Sequence, residues 1–432
     1  MKNLIVISAF LLTFCSFGIT ASFAQTSLDG YWEGIGKLSN DELKFMVTFK
    51  TEADGLKGTI DIPETATSAL PLADVSINGS KVNFVMPGGA GRVPFEGEIS
   101  GDTISGTFQF GKQSFPFVIK RVAKTQSFKE EEVSYQNGNI KLAATLLLPN
   151  TKSPHPVIVF QHAARPDKRD VWRFHADQFA RRGIACLIYD NRGVGGSTGN
   201  YRVGFEDLAS DGIAAVNYLK TRKDINRKQI GLFAASQGGW IAPIVATRSR
   251  DVAFILLVSA PSVAMAENHL YEMESDLRDA GFSEEEIKTA VAYRKPTMEL
   301  IRVGAPEEQI EAAIQKAKNE RWFPFVGVPA KDNWQRRWFP LVLGFNPAPV
   351  WEKVKSPVLS VMGEIDREVR VSQNAPIMEQ ALKKGGNKDF TIKIFPKANH
   401  SIMVSEQGRQ RLAPGYLDFM TDWLLKRVTV KN

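Results

Sequence analysis

The sequence predicts an α/β domain, a mostly parallel sheet covered by helices and carrying a helical insertion, preceded by an all-β barrel or sandwich. Three observations carry this. Residues 26–124 hold short, β-branched or aromatic runs separated by turn residues. After Pro154, near-continuous apolar runs alternate with amphipathic ones, the signature of parallel strands buried on both faces. That alternation stops over residues 264–350, where helical periodicity takes over, and then resumes.

The first element is a leader. Lys2 is followed by an uncharged apolar run from Leu4 to Thr20, and small residues stand at Ser22 and Ala24. This is the pattern of a secretory signal over residues 1–24, cleaved before Gln25. Removing it takes away Cys15 and leaves Cys186 alone, so no intramolecular disulfide is available. Export without a disulfide points to a bacterial periplasm or exterior. The remaining chain has no apolar run of about 18 residues, so no stable membrane insertion is expected.

In residues 26–124, the runs YWEGIGKL, LKFMVTFK, LKGTIDI, KVNFVM, VPFEGEI, TISGTFQF and FPFVIKR read as seven or eight strands. Asn78-Gly79 and Gly101-Asp102 are hairpin signals. No nucleophile motif, acidic pair or His cluster lies here, so the segment reads as a packing or oligomerisation module, with a ligand-binding barrel as the alternative, and a homo-oligomer stays open. Lys124–Glu132 is polar and reads as a linker. The second domain then spans residues 131–428.

That domain opens with a hairpin at Asn137-Gly138. PVIVFQ, IACLIYD, QIGLFAA and AFILLVSA read as strands, and VWRFHADQFARRG, FEDLASDGIAAVNYLKTR and GWIAPIVATR as the helices between them. In the insertion, Ser283 and Glu286 form a capping box and Pro306 heads another helix. PVLSVMG and FTIKIFP complete the sheet, and YLDFMTDWLLKR is the last helix.

The formal net charge is +7, but the basic residues are scattered and interleaved with acids. This is a solvated surface, without the stacked basic face that a nucleic-acid partner needs. The Gly-rich run after Asn191 does not match a dinucleotide fingerprint, and no metal-ligand spacing or phosphate loop is present, so no cofactor is expected.

Chemistry concentrates at Ser236. It lies between a buried strand and a helix, with Ala234 and Gly238 two residues to either side. A sharp strand-to-helix turn strains the serine backbone and would crowd larger flanking side chains. The backbone N–H of Gln237 then sits at a helix N-terminus, ready to receive an oxyanion. The serine needs a base, and of His155, His162, His175, His269 and His400 only His400 lies in a loop after the last strand. Asp366, in the loop after PVLSVM, is the carboxylate to hold that imidazole, with Glu364 as the alternative. The loop after PVIVFQ offers Ala164, or Ala163, as the second oxyanion donor.

Residues 131–428 resemble the α/β-hydrolase superfamily, and more narrowly secreted bacterial serine esterases grouped with serine aminopeptidase-like hydrolases. The hairpin with LAATLLLP, the loop Tyr189–Gly199, the Ala-Ala-Ser-Gln-Gly elbow, the Gly-Glu-x-Asp loop and Asn399-His400 carry the likeness. The resemblance implies a triad of Ser236, Asp366 and His400, a backbone oxyanion donor at Gln237, and a cap formed by residues 264–350. It departs from the family in having Ala163 and Ala164 where glycine is usual and Asn191 where a second arginine often stands.

The expected activity is hydrolysis of a small-molecule carboxylic ester through an acyl-enzyme. An amidase or aminopeptidase using the same triad is the alternative, for which Glu267, Glu272 and Glu274 are candidates to hold a substrate amine. The cap aromatics Trp322, Phe323, Phe325, Trp334, Trp338, Phe339, Phe345 and Trp351 either pack the cap or line an acyl pocket. Arg336 and Arg337 are read as surface residues, with binding of a carboxylate as the alternative.

Overall fold

The computed structural model describes residues 27–431 apart from 40, 89, 90, 125, 126, 407 and 408. The expected leader lies outside the described residues.

The first unit is one antiparallel sheet of nine strands: β1 (Gly30–Leu38), β2 (Asp41–Glu52), β3 (Gly55–Ile62), β4 (Thr67–Pro71), β5 (Ala73–Asn78), β6 (Lys81–Gly88), β7 (Gly91–Ser100), β8 (Thr103–Phe110) and β9 (Gln113–Val122). Their order is β4-β3-β2-β1-β9-β8-β7-β6-β5, and the sheet curls into a near-barrel. Strand alternation explains the curl. One face of each strand turns Trp32, Phe45, Phe49, Phe84, Phe95 and Phe117 into a shared core. Phe84 and Phe95, directly opposite each other on β6 and β7, stack at 4.6 Å. Two strands, β4 and β5, were not among the runs expected from sequence. Both lie at the sheet edges and bury no residue fully, so neither has a strong apolar signal.

The second unit is an eight-stranded sheet. It is built from β10 (Phe128–Asn137), β11 (Ile140–Pro149), β12 (His155–Gln161), α1 (Arg173–Ala180), β13 (Ala185–Tyr189), α2 (Phe205–Thr221), β14 (Ile225–Ala235), α3 (Gly238–Arg248) and β15 (Val252–Val258). The insertion follows as α4 (Met265–Asp279), α5 (Glu284–Arg302), α6 (Glu307–Ala317), α7 (Phe323–Val326), α8 (Trp334–Val342) and α9 (Ala348–Trp351). The sheet resumes with β16 (Val358–Gly363), α10 (Val371–Lys384) and β17 (Phe390–Phe395). A small hairpin, β18 (Met403–Glu406) and β19 (Arg409–Leu412), precedes the closing helix α11 (Tyr416–Leu425). Strand β10 begins at Phe128, so part of the expected linker is already sheet.

Strand order is β10-β11-β13-β12-β14-β15-β16-β17, parallel from β13 to β17. Helices α2, α3 and α10 cover one face. Helices α1 and α11 cover the other. The chain runs outward from β12 to β13 and then crosses back to β14. The C-terminal ends of β12 and β14 therefore sit side by side where the order reverses, the position at which open α/β sheets form their crevice.

Candidate active site

The turn between β14 and α3 is built as the sequence expects. Ser236 has φ +50°, a left-handed conformation that costs a non-glycine residue about 1–3 kcal/mol. Its N–H donates to the Val258 carbonyl at 3.0 Å, and its carbonyl accepts from the Gly239 N–H at 2.8 Å, which holds the strained turn. A Cβ on Gly238 would stand 3.0 Å from the Cβ of Ala234, so the two small flanking residues lie against each other. Gln237 is the N-cap of α3, where the first helical N–H groups have no partner within the helix.

Asp366 and His400 meet at the ends of β16 and β17. His400 Nδ1 donates to Asp366 Oδ2 at 2.8 Å. The other carboxylate oxygen, Oδ1, accepts the backbone N–H groups of Glu368 and Val369 at 2.8 and 2.9 Å. With the Asp366 side chain 1% exposed, this arrangement fixes the imidazole tautomer and leaves Nε2 as the acceptor. Two further bonds fasten the loops: Ser259 Oγ donates to the His400 carbonyl at 2.7 Å, and the Tyr271 hydroxyl donates to the Asp366 carbonyl at 2.8 Å.

Burial disfavours the His400 imidazolium, but the hydrogen bond and charge of Asp366, with the charges of Glu368 and Glu272, outweigh it and raise its pKa. Glu368 Oε2 lies 3.4 Å from His400 Nε2. No hydrogen bond joins Ser236 Oγ to His400.

The other histidines are engaged elsewhere. His162 Nε2 donates to the Tyr189 carbonyl beneath the β12 loop, and burial pushes its pKa down to about 4. His175 bonds the Tyr416 hydroxyl at 3.0 Å inside the core, and His155 is buried near the start of β12. Glu364, the alternative acid, is exposed and accepts the Lys397 N–H at 2.8 Å. Cys186 is buried mid-strand and free.

Ser236 opens into a cavity of about 410 Å³ between the sheet edge and the insertion, within the usual range of ligand pockets. Gln237 and Ala164 line it, whereas Ala163 packs on the core and accepts the Gln237 amide at 3.4 Å. Trp240, Phe325, Trp334, Trp338 and Phe339 give it aromatic walls. Trp322 and Trp351 are buried in packing instead.

Four lining residues escaped the sequence reading of the site or gained a different place in it. Glu272 and Glu368 face the His400 end, and burial followed by the charges of Glu368 and Asp276 raises the Glu272 pKa. His269 and Arg294 also line the cavity. Glu267 and Glu274 do not; they bond Gln373 and Arg370. Arg336 is not simply a surface residue, since its guanidinium is tied to Glu307 at 2.7 Å. Among the described residues no cluster of three or more His, Cys, Asp or Glu is arranged to hold a metal ion, and no helix is long and apolar enough to cross a membrane.

Residues 137–401 match the family of X-Pro dipeptidyl-peptidases (S15 family). The chain is 27% identical over 130 residues to the quorum-quenching protein AidA of Acinetobacter baumannii, spanning 30% of this chain and 42% of that protein. It is 32% identical over 111 residues to the esterase FrsA of Vibrio vulnificus, spanning 26% of each. The chain thus spans less than half the length of these curated relatives. Among solved structures, an esterase of Pyrococcus furiosus aligns with a TM-score of 0.46 and 16% identity, covering 70% of this chain and 92% of that one. The α/β hydrolase GrgF of a Penicillium species aligns with a TM-score of 0.45 and 18% identity, covering 70% and 99%.

Proposed function

The chain belongs to the X-Pro dipeptidyl-peptidase (S15) family of hydrolases, and on that premise we propose that it cleaves carboxylic esters through an acyl-enzyme formed on Ser236. The observation that carries this reading is Ser236 held at φ +50° in an aromatic cavity that Glu368 and Val369 also line, two residues whose N–H groups hold the Asp366 carboxylate bonded to His400. His400 Nε2 takes the Ser236 proton as the hydroxyl attacks the ester carbonyl. Asp366 holds the ring and stabilises the imidazolium. The backbone N–H groups of Gln237 and Ala164 stabilise the oxyanion. His400 then returns the proton to the leaving alcohol, and water repeats the sequence to free the acid.

A second reading has a specific observation behind it. Glu272, Asp276 and Glu368 line the same cavity, and carboxylates there suit the free amine of a peptide or aminoacyl amide. The family name favours that chemistry. The esterase reading rests on the aromatic walls of the cavity that Ser236 also lines.

Labelling with a fluorophosphonate probe tests the common core of both readings. Wild type is expected to label and Ser236→Ala to stay unlabelled, with turnover of p-nitrophenyl butyrate reduced on the order of 10⁴–10⁶-fold in the variant. Equal turnover by the two would remove the serine mechanism. A matched panel of aminoacyl and Xaa-Pro p-nitroanilides separates ester from peptide preference.

A further inference from the structure

Arg294 is a buried cation without a counter-ion. It projects from the middle of α5, is 3% exposed, and lines the cavity that holds Ser236. Among the described residues no carboxylate lies within 4.0 Å of it. Its Nη1 is buried with no hydrogen-bond partner. Its Nη2 reaches only the His269 Nε2, at 3.5 Å. The guanidinium otherwise sits over the Phe339 ring at 5.8 Å.

His269 does not supply charge. Burial, with Arg294 beside it, holds its pKa down to about 4, so it is a neutral neighbour at physiological pH. Burial also lowers Arg294, to about 10, which leaves it charged. The other buried arginine among the described residues, Arg192, is matched by Asp211 at 2.6 Å, and the partly buried Arg336 by Glu307 at 2.7 Å. An unpaired guanidinium in such a place is costly in the free protein. Its cost is recovered when a ligand brings the missing anion.

We propose that Arg294 receives a carboxylate carried by the substrate, so that the enzyme favours esters of acids bearing a second, free carboxylate. This rests on Ser236 being the nucleophile in the same cavity. The planar fork of arginine matches a carboxylate through two parallel bonds. Monoanionic charge fits better than a phosphate dianion. Arg294 is the one Lys or Arg among the lining residues, and Glu272, Asp276 and Glu368 would repel a second negative charge. The aromatic walls then accommodate the carbon chain between the anchored carboxylate and the ester.

The test has two arms. In the first, glutarate and inorganic phosphate are titrated calorimetrically into wild type, Arg294→Met, Arg294→Lys and Ser236→Ala. Glutarate is expected to bind wild type and Ser236→Ala alike, at least tenfold more weakly to Arg294→Met, and at an intermediate level to Arg294→Lys. Equal glutarate affinity for wild type and Arg294→Met overturns the proposal. So does phosphate binding that is tighter than glutarate binding and lost in Arg294→Met. In the second arm, kcat/KM is compared for mono-p-nitrophenyl glutarate and p-nitrophenyl butyrate. The anionic-to-neutral ratio is expected to fall at least tenfold in Arg294→Met. Removing an unmatched charge should leave that variant at least as heat-stable as wild type, so a drop in the ratio reads the anchor and not unfolding. Arg294-dependent glutarate binding without cleavage of either ester would refute the Ser236 reading and leave the anion site standing. Cleavage at Ser236 with an unchanged ratio would do the reverse.

Discussion

At the scale of single residues, the proposed role of His400 as general base makes its acidic surroundings decide the pH dependence. A general base must be neutral, so on that proposal activity rises with pH through the His400 pKa. That pKa is raised above the ordinary value of about 6.5 because Asp366, Glu368 and Glu272 outweigh the effect of burial. The acid limb of kcat/KM is therefore expected above about pH 6.5. Glu368→Gln removes a charge that favours the imidazolium, so the limb should move to lower pH. Glu368 is half exposed, so its contribution is partly screened and the displacement should shrink in high salt. A pH–rate profile at low and high ionic strength checks this, and a limb that moves upward or not at all in Glu368→Gln contradicts it. The same raised pKa stabilises the fold fully below about pH 6.5, and that contribution fades as pH rises through the folded-state value.

At the scale of elements, the site depends on how closely two loops pack. Gly363 ends β16, three residues before Asp366, and the loop bearing His400 lies directly on it. A Cβ there would stand 2.2 Å from the Asn399 carbonyl oxygen and 2.4 Å from that of Ala398. Backbone cannot swing aside as a side chain does, so Gly363→Ala must shift the His400 loop. A shift near 1 Å is enough to cost on the order of 100-fold in rate. The expected outcome is a large loss of kcat with probe labelling of Ser236 slowed in parallel, while circular dichroism keeps the native spectrum. Full activity in Gly363→Ala would mean that the loop tolerates the displacement. This dependence on packing also marks what could be read from sequence. The elbow was legible because strain, small flanking residues and a helix start are all local to residues 234–238. The Asp366 and His400 loops were legible because each follows a strand in a fixed chain order. Arg294 and His269 were not, since their direction depends on how α4 and α5 sit against α8. Glu368 was hidden in a loop already assigned to Asp366. Strands β4 and β5 were missed because edge strands with half-buried residues carry little alternation.

At the scale of the whole molecule, the near-barrel and the mixed-sheet unit keep separate cores and meet at a seam rich in polar groups. The core of the near-barrel contains no residue beyond Ile119, and the two cores on either side of the mixed sheet contain none before Phe128. Several charged pairs cross between the units. Arg409, on β19, pairs with Asp41 at 3.3 Å and with Glu64 at 3.9 Å, and Arg411 reaches Asp41 at 3.7 Å. A second contact places Tyr31, Asp61 and Lys124 around a small cavity shared with Arg173, Asp177 and Arg181 of the hydrolase domain. Burial and the neighbouring Glu33 raise the Tyr31 hydroxyl well above its usual range, so it stays a neutral donor in this seam. Exposed pairs of this kind contribute about 0–1 kcal/mol each and are screened by salt. Each unit should therefore unfold on its own core. Scanning calorimetry is expected to show two transitions that separate further between about 0.05 and 1 M salt, where the Debye length falls from over 10 Å to about 3 Å. Ser236 labelling followed during the scan should vanish with only one of them, the transition of the mixed sheet. The hairpin β18–β19 begins three residues after His400, so loosening the seam reaches the site through that hairpin. Arg409→Ala should accordingly bring the two transitions apart at low salt, as 1 M salt does in wild type. A single transition that stays single at every salt concentration, in both proteins, would show that the seam couples the units as strongly as a common core.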